Sequence, residues 1–515
     1  MRSLLKTSES RRLELIERLM IATDWMTLNE LAQELGSSSR ILKEDLVYFN
    51  SSNYNFNIES GPLGVRIDVP SNSGISEYYQ NVLKTTLAFN IMEEIFFDET
   101  LSVNQLASKL RSSSSSIYRA IDELNEYFKT HECQIITNPC RFIGDEHYIR
   151  NFYRTYFKEI STIMEWPFRT IDEDKVDHAL QSILNSLKSL GELDVTVFDF
   201  AFFRIVKIIL TVNIIRTNHG QFIEDTREQN GYAQILFNLI ERTKYFKNFV
   251  AIGINRLDMQ TVFQIFSPYM RKNVAYSTKA LNKVRKRNPD INNAMAYLEN
   301  FLQNMADEAG IEVDTDMLTE IAYGTIYLED DDPNAHHILY DRNYFFALQL
   351  QEKFPYLYNN LYKSLSKVRQ IMKLPMNDEK VYSLIFAIYT NWDSLIRDLH
   401  DKYQQLNVLV ISDGHYSHGK MIENLLTFEL PDNIEVTTYR HQNLTVDLLN
   451  ESESDLIIST FKLPDEVQIP YIITKHYPCI SDVQRIQTVV EEILDEKAVF
   501  ALTGRKKISS GRRWE

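Results

Sequence analysis

The sequence is poor in the residues that mark secreted, metal-binding or membrane proteins. Its 515 residues include three cysteines, Cys133, Cys140 and Cys479, and their spacing matches neither a disulfide framework nor a zinc site. No apolar run approaches the roughly 18 residues that a membrane-spanning helix needs. The N-terminal segment MRSLLKTSESRR precedes an amphipathic helical pattern rather than a signal peptide. We therefore expect a cytoplasmic protein with ordinary thiols and with no metal or cofactor.

Positive charge is also scarce. The formal net charge is −16, which repels a polyanion such as DNA, because electrostatic attraction supplies most non-specific DNA affinity. The first 70 residues contain eight Lys and Arg against ten Asp and Glu, and residues 71–150 contain seven against eleven. A DNA-binding function would therefore need basic side chains gathered on one face. It would also gain from several modules acting together in an oligomer.

A duplicated segment dominates the N-terminal part of the chain. Leu28–Asn50 reads LNELAQELGSSSRILKEDLVYFN, and 75 residues later Val103–Asn125 reads VNQLASKLRSSSSSIYRAIDELN. In each copy the apolar spacing predicts two helices joined by a tight, Ser-rich turn, which is the pattern of a helix-turn-helix. We expect Ser38 or Ser39 to cap the second helix of the first copy. The duplication therefore predicts two helix-turn-helix modules.

A short alternating pattern follows each copy, at Phe56–Asp68 and at Cys133–Ile143, and predicts a hairpin that would act as a wing. Arg66 and Arg141 fall at the same offset of 75 on the returning strands, where they could reach a phosphate. The second helix of a helix-turn-helix enters the major groove, so its outward residues are candidate DNA contacts. The full candidate set is Ser38, Ser39, Arg40, Lys43, Arg66, Ser114, Ser115, Tyr118, Arg119 and Arg141. Alternatively, both modules serve only packing or protein contact.

The remainder of the chain changes period twice. One helix is predicted from Tyr79 to Phe97, and from Tyr148 to about Tyr403 the pattern is almost wholly helical. The last hundred residues alternate short β runs with helices, which favours a small parallel α/β sheet. We thus predict a mainly α multidomain protein. Its predicted segments are the helix-turn-helix modules 1–70 and 77–146, the helical bundles 147–288 and 289–403, an α/β domain 405–503, and a basic tail 504–515.

The loop after the first strand of the α/β domain is Asp413–Gly419, DGHYSHG. In parallel sheets, a loop that leaves the carboxyl end of a strand and opens a helix often binds an anion or a ligand. Its two histidines could titrate or accept phosphate. The alternative is a solvated loop in which both histidines have no function.

The order of these parts resembles the Mga/AtxA-type virulence regulators of Gram-positive bacteria, which contain phosphotransferase regulation domains. The most specific matching segments are LNELAQELGSSSRILKEDL, VNQLASKLRSSSSSIYRAIDELNEYF and FRIVKIILTVNIIRTNHGQF. The resemblance implies two winged helix-turn-helix modules, two helical phosphotransferase regulation domains and a C-terminal domain similar to enzyme IIB of the sugar phosphotransferase system. It also implies a homodimeric, non-enzymatic transcriptional regulator whose partner is double-stranded promoter DNA.

The same resemblance implies control by histidine phosphorylation, with phosphocarrier proteins of the sugar phosphotransferase system as partners. His219, at the end of a long apolar helix, is the first candidate, and His400 is favoured over His336 and His337 in the second bundle. Enzyme IIB proteins carry phosphate on a cysteine just after their first strand, and Asp413–Gly419 contains none. The C-terminal domain is therefore expected to support self-association. A phosphocarrier component of sugar uptake and a protein-binding scaffold remain as alternatives.

Overall fold

The computed structural model describes residues 1–22, 25–52, 54–70, 74–189, 200–224, 237–238, 240–241, 246–254, 258–266, 278–309, 312–330, 337–392, 406–430 and 433–503. The chain divides into two compact units, of which the first comprises Met1–Asn292 with Tyr327–Phe345 and the second Asn293–Ile326 with Phe346–Glu515. The described chain is mainly helical, as the periodicity predicts. None of the helices in these ranges is long and apolar enough to cross a membrane. The finer division into six segments stays a prediction.

The first repeat comprises two helices and a hairpin, and one further helix precedes them in sequence. The elements are α1 (Thr7–Ile21), α2 (Leu28–Glu34), α3 (Ser39–Ser51), β1 (Asn57–Gly61) and β2 (Gly64–Asp68). Helix α2 begins with a capping box, in which Thr27 and Glu30 each bond the other's backbone N–H. The turn between α2 and α3 uses Gly36 with φ at +56°, a conformation that glycine adopts at little cost. The capping box thus fixes the start of α2, and Gly36 allows the tight turn that follows it.

The second repeat has the same elements, preceded by two helices. These are α4 (Ser76–Thr85), α5 (Leu87–Phe97), α6 (Val103–Lys109), α7 (Ser114–Phe128), β3 (Cys133–Thr137) and β4 (Cys140–Gly144). The prediction of one helix from Tyr79 to Phe97 is wrong, because the helix is interrupted at Thr86. The backbone of Thr86 is extended, and its hydroxyl and N–H both donate to the carbonyl of Val82. Its side chain thus reinforces the end of α4 instead of continuing the helix.

An asparagine at the same place in each repeat ties the helix to the hairpin. The side chain of Asn50 donates to the carbonyl of Ile58 at 2.9 Å and accepts from its N–H at 3.0 Å. Asn125 makes the same two bonds to Ile135, at 3.0 and 2.6 Å. A single amide can serve as donor and acceptor at once, so it fixes the first strand against the end of the preceding helix. The duplication seen in the sequence is therefore also a duplication of contacts.

Helices fill the middle of the chain. They are α8 (Glu146–Ile160), α9 (Glu173–Ser189), α10 (Phe200–Asn218), α11 (Phe246–Ala251), α12 (Met259–Phe266), α13 (Thr278–Arg287), α14 (Pro289–Ala309), α15 (Thr315–Asp330), α16 (Arg342–Lys353), α17 (Pro355–Ile371) and α18 (Asp378–Asn391). In the first unit, α10 packs against α8, α12, α9 and α5. Its buried Ile208 and Val212 belong to the same apolar core as the helix-turn-helix modules. In the second unit, α17 packs against α18.

The C-terminal part contains the predicted small parallel sheet. Its elements are β5 (Leu406–Ile411), α19 (Tyr416–Glu429), β6 (Ile434–Thr438), α20 (Val446–Asn450), β7 (Leu456–Ser459), β8 (Tyr471–Ile473) and α21 (Ile480–Thr503). The strands are parallel, in the order β6-β5-β7-β8. Ile422 of α19 and Ile486 of α21 share the apolar core on one face of the sheet, and Leu449 of α20 packs on the other. The sheet is therefore covered on both faces, as parallel sheets usually are.

Candidate nucleic-acid interface

The outward face of α3 carries the candidate residues of the first module. Arg40, Lys43, Glu44 and Val47 lie at spacings of three and four residues, opposite a buried face that includes Leu42. The side chain of Arg40 is 90% exposed, but it lies 3.5 Å from the Glu44 carboxylate. Val47 is 67% exposed. This face therefore combines cations with an acid and an apolar side chain.

The hairpin cation of the first module is also paired with an acid. Arg66 on β2 lies 2.7 Å from the carboxylate of Glu59 on β1, and its guanidinium stacks 4.8 Å from the Trp25 ring centroid. Two of the three candidate cations in this module thus have an acidic neighbour. Lys43 makes no ion pair within the part of the chain that the structure describes.

On the equivalent face of α7, the candidate cation is not paired with an acid in the described part of the chain. Ser115, Tyr118 and Arg119 are exposed there, with the tyrosine at 49%. Neither Tyr118 nor Arg119 makes a hydrogen bond or ion pair among the described residues. Arg141 on β4 is exposed and donates through Nε to the carbonyl of Glu99 at 3.3 Å, a bond that leaves its charge uncompensated. The second module therefore has more free positive charge on its candidate contacts.

The serines of the two turns have separate tasks. Ser38 caps α3, since its hydroxyl accepts from the N–H of Ile41 at 3.3 Å, and Ser113 caps α7 in the same way. Ser39 and Ser114 instead donate to the side-chain oxygens of asparagines on the preceding helices, Asn29 and Asn104, at 3.0 and 2.9 Å. Of the two residues considered for the first cap, Ser38 fills the role. Ser39 and Ser114 thus hold each turn against the preceding helix. Together with the capping residues and the asparagines that tie helix to hairpin, they form what we call the frame of each module.

The structure adds Arg111 to the candidate contacts. It occupies the turn between α6 and α7 with φ at +50°, at the position that Gly36 holds in the first module, and its side chain is exposed. A positive φ at a residue other than glycine is uncommon and marks a position that the surrounding fold dictates. The sequence signal was available, since Arg111 aligns with a turn glycine at the offset of 75.

A buried ionic network joins α10 to the second module. Arg216 is fully buried and bonds the carboxylate of Glu146 at 3.0 and 2.6 Å, the carboxylate of Glu99 at 2.5 Å, and the carbonyl of Phe142 at 3.1 Å. Arg150, 2% exposed, bonds Glu146 at 2.9 Å. Two acids thus face two arginines. Because isolated buried charges are costly, such a network favours one arrangement of the helix against the module.

His219 lies at the edge of this network. Its Nδ1 is 4.0 Å from Glu99 Oε1 and has no hydrogen-bond partner among the described residues, and its side chain is 23% exposed. Burial lowers the pKa of His219, while the negative charge of Glu99 opposes that shift. Arg216 is engaged by the carboxylates of Glu99 and Glu146, and Glu99 also approaches the ring of His219. The ring is therefore partly accessible from solvent.

The other candidate histidines are less informative. His400 and His336 lie outside the described residues. His337 is 3.6 Å from the carboxylate of Asp341. In the C-terminal loop, His418 contacts the hydroxyl of Ser412 at 2.6 Å through Nδ1 and the carbonyl of His476 at 2.5 Å through Nε2. Both nitrogens of His418 are therefore engaged.

The rest of this loop is also held by polar contacts. Asp413 accepts from the Thr460 hydroxyl at 2.7 Å and lies 3.2 Å from His476. The Thr460 hydrogen bond first, and then the charge of His476, keep the pKa of Asp413 below its usual value. His415 is exposed. Cys479 immediately precedes α21 and is not part of the loop Asp413–Gly419.

Three family models match successive parts of the chain. Residues 7–61 match the M protein trans-acting positive regulator (MGA) HTH domain, residues 71–157 match the Mga helix-turn-helix domain, and residues 194–395 match the M protein trans-acting positive regulator (MGA) PRD domain. The first two matches include α2 with α3 and α6 with α7. The third includes α10 and His219.

Individual relatives match over a longer span of the chain. A protein of Streptococcus pneumoniae named as a trans-acting regulator is 26% identical over 470 residues, covering 90% of this chain and 94% of its own length. The anthrax toxin expression trans-acting positive regulator of Bacillus anthracis is 20% identical over 481 residues, with the same two shares. The capsule synthesis positive regulator AcpA of Bacillus anthracis is 25% identical over 346 residues, covering 64% of this chain and 67% of its own.

Proposed function

Since the chain belongs to the Mga/AtxA-type family of transcriptional regulators with phosphotransferase regulation domains, we propose that it binds promoter DNA through both helix-turn-helix modules and activates transcription. The exposed, unpaired Tyr118 and Arg119 on the outward face of α7 carry the proposal. The names of the relatives, which describe positive regulators, favour activation over repression.

In this proposal each module acts as a winged helix-turn-helix. Helices α3 and α7 enter the major groove, and the β1–β2 and β3–β4 hairpins lie along the flanking backbone as wings. Arg141 and Arg111 contact phosphates, which position a module without specifying sequence. The net charge of −16 weakens binding by one protomer, so the active species is a homodimer that presents four modules. The C-terminal domain, as an enzyme IIB-like domain without the phosphate-carrying cysteine, supports the self-association.

Arg119→Ala tests DNA binding by the second module. The matched control is Lys367→Ala, which removes an exposed cation from α17 in the other compact unit. We expect Arg119→Ala to weaken binding to promoter fragments in a gel shift. Loss of one cation from the interface should also make the dependence of log K on log salt shallower, by at most about 0.9. Parental affinity and slope in a folded Arg119→Ala protein, or an equal loss in the control, would remove Arg119 from the interface.

We further propose that phosphorylation of His219 by phosphocarrier proteins of the sugar phosphotransferase system regulates this binding. His219 is partly exposed and lies beside Glu99. A phosphoryl group would add up to two negative charges next to that acid, and like charges repel. Phosphorylation should therefore loosen the contact between α10 and the second module. His400 stays a second candidate in the other helical segment.

The phosphorylation proposal is tested by incubating the protein with purified phosphocarrier proteins and a phosphodonor, then locating phosphohistidine by mass spectrometry. His219→Gln should abolish the label at that position, and His219→Asp should imitate part of the charge in a promoter assay. His178→Asp, on an exposed face of α9, is the matched control. If His219→Asp and His178→Asp both behave like the parent while His400 variants do not, the regulatory histidine lies elsewhere.

A further inference from the structure

The two modules have equivalent frames but unlike outward faces. Their capping boxes, their turn serines and the asparagines that tie helix to hairpin coincide at the offset of 75. Any outward residue of α3 can therefore be matched with one of α7. The matched pairs are Arg40 with Ser115, Lys43 with Tyr118, Glu44 with Arg119, and Val47 with Asp122.

All eight side chains in these pairs are exposed, so packing does not dictate their chemistry. The frame residues are retained in kind across the repeat, whereas none of the four outward pairs is. At one pair the charge is reversed, because the Glu44 carboxylate, 67% exposed, occupies the place of the Arg119 guanidinium. At another, the apolar Val47 replaces the acid Asp122. The four matched outward pairs thus differ on the face that would meet DNA, while the capping, turn-serine and asparagine contacts are kept.

These side chains recognise opposite patterns in the major groove. An arginine donates two hydrogen bonds to the O6 and N7 acceptors of guanine, whereas a glutamate accepts from the N4 amino group of cytosine. A valine methyl group has no hydrogen-bonding function and suits the methyl group of thymine, while an aspartate at that place again requires a donor. A carboxylate opposite guanine or a guanidinium opposite the amino group of cytosine would leave polar groups unpaired.

We infer that the two helix-turn-helix modules read different base sequences, and that the charge-reversed pair Glu44 and Arg119 specifies opposite bases at equivalent places in the two halves of the site. The DNA element for one chain is then composed of two unlike halves instead of a direct repeat. Glu44 favours cytosine where Arg119 favours guanine on the equivalent strand. The inference rests on the proposed DNA binding and adds which residues discriminate between bases.

Selection of bound duplexes from a randomised pool, with the full-length chain, tests the inference. The parent should select two unlike half-elements. Arg119→Glu should shift the preference at one position of one half from guanine to cytosine, and Glu44→Arg should shift one position of the other half in the opposite direction. The double exchange should change both positions. Each change in preference should be roughly 5- to 150-fold, the discrimination of one good base contact.

One control variant and the choice of readout keep the outcomes separate. Glu44→Ala removes the carboxylate without adding a cation, so it should relax the preference at its position without reversing it. The readout is base preference, because an added arginine raises affinity for any DNA by charge alone. A parent that selects no DNA sequence and binds no promoter would overturn the proposed function itself. A parent that binds DNA, but whose exchanges leave every base preference unchanged or alter the same position, would overturn only this inference.

Discussion

Replacing Arg216 by methionine should loosen α10 from the second helix-turn-helix module. The side chain is fully buried and bonds the carboxylates of Glu99 and Glu146. Methionine is unbranched, flexible and uncharged, so it can fill much of the volume without pairing with the acids. Glu146 retains Arg150 at 2.9 Å. The carboxylate left without a cationic partner is then mainly that of Glu99, which is 5% exposed.

The expected cost follows from the charges in this network. Two acids and two arginines give a net charge of zero, and removing Arg216 leaves one uncompensated negative charge. Breaking a buried ion pair by deleting one partner costs about 3–5 kcal/mol. Glu99→Gln alone should also destabilise, since it leaves one positive charge in excess. The double variant Arg216→Met with Glu99→Gln restores neutrality, so it should cost clearly less than the sum of the two single changes.

The assay is amide hydrogen exchange on α10 and α7. The parent, Arg216→Met, Glu99→Gln and the double variant are compared as a double-mutant cycle. Arg216→Lys, which keeps the charge but not the planar fork, should fall between the parent and methionine. Exchange reports local opening, so it separates this contact from unfolding of other parts of the chain. Two results would show that the network does not hold the module. One is that the destabilisations of the two single variants simply add in the double variant. The other is that Arg216→Met destabilises by less than about 0.5 kcal/mol, as a change at an ordinary surface site does.

Three other consequences can be measured directly. Asn125→Ala leaves the N–H and carbonyl of Ile135 without their side-chain partner, so it should lower the free energy of unfolding by about 1–3 kcal/mol. The loss should be visible as a lower melting temperature. The control Asn104→Ala loses a contact on the exposed turn and should lower the melting temperature less. Burial lowers the pKa of His219 from its usual 6.5. The contribution of the neutral ring to stability is therefore complete above that pH and is lost as the pH falls through the lower folded value, so His219→Gln should flatten the stability profile below pH 6.5. A chain that ends after Tyr403 should dimerise more weakly, and an unchanged particle mass in light scattering would exclude the C-terminal domain as the main contact.

The local elements of the fold were predictable because their causes are local. The serine-rich turns and alternating hairpins predict their positions within a few residues, since helix caps and strand periodicity depend on neighbours in sequence. The break at Thr86 was missed, because the surrounding residues keep a helical pattern and only one hydroxyl contact marks the end of α4. The repeat in the sequence includes Asn50 and Asn125, but their bonds to the hairpin depend on the tertiary fold.

The buried network could not have been assembled from the sequence. Glu99, Glu146 and Arg216 are separated by many residues and meet only after the helix-turn-helix module packs on α10. One signal was present, because the mainly apolar run IILTVNII is followed directly by Arg216. A charge in such a helix must find buried partners, since an isolated buried charge is too costly. The sequence indicates that partners exist, and the fold identifies them.

Glu99 connects the candidate regulatory histidine with a candidate DNA contact. Its carboxylate lies 4.0 Å from His219 and bonds Arg216, while its backbone carbonyl accepts from Arg141. A charge change at His219 therefore acts on the residue that positions Arg141, with no intervening chain of contacts. Coupling between two equilibria is reciprocal. If a proton at His219 alters DNA affinity, bound DNA must alter the proton affinity of His219 by the same free energy. Measuring the His219 pKa by NMR with and without promoter DNA tests the link from the opposite side, and Glu99→Gln should reduce any difference.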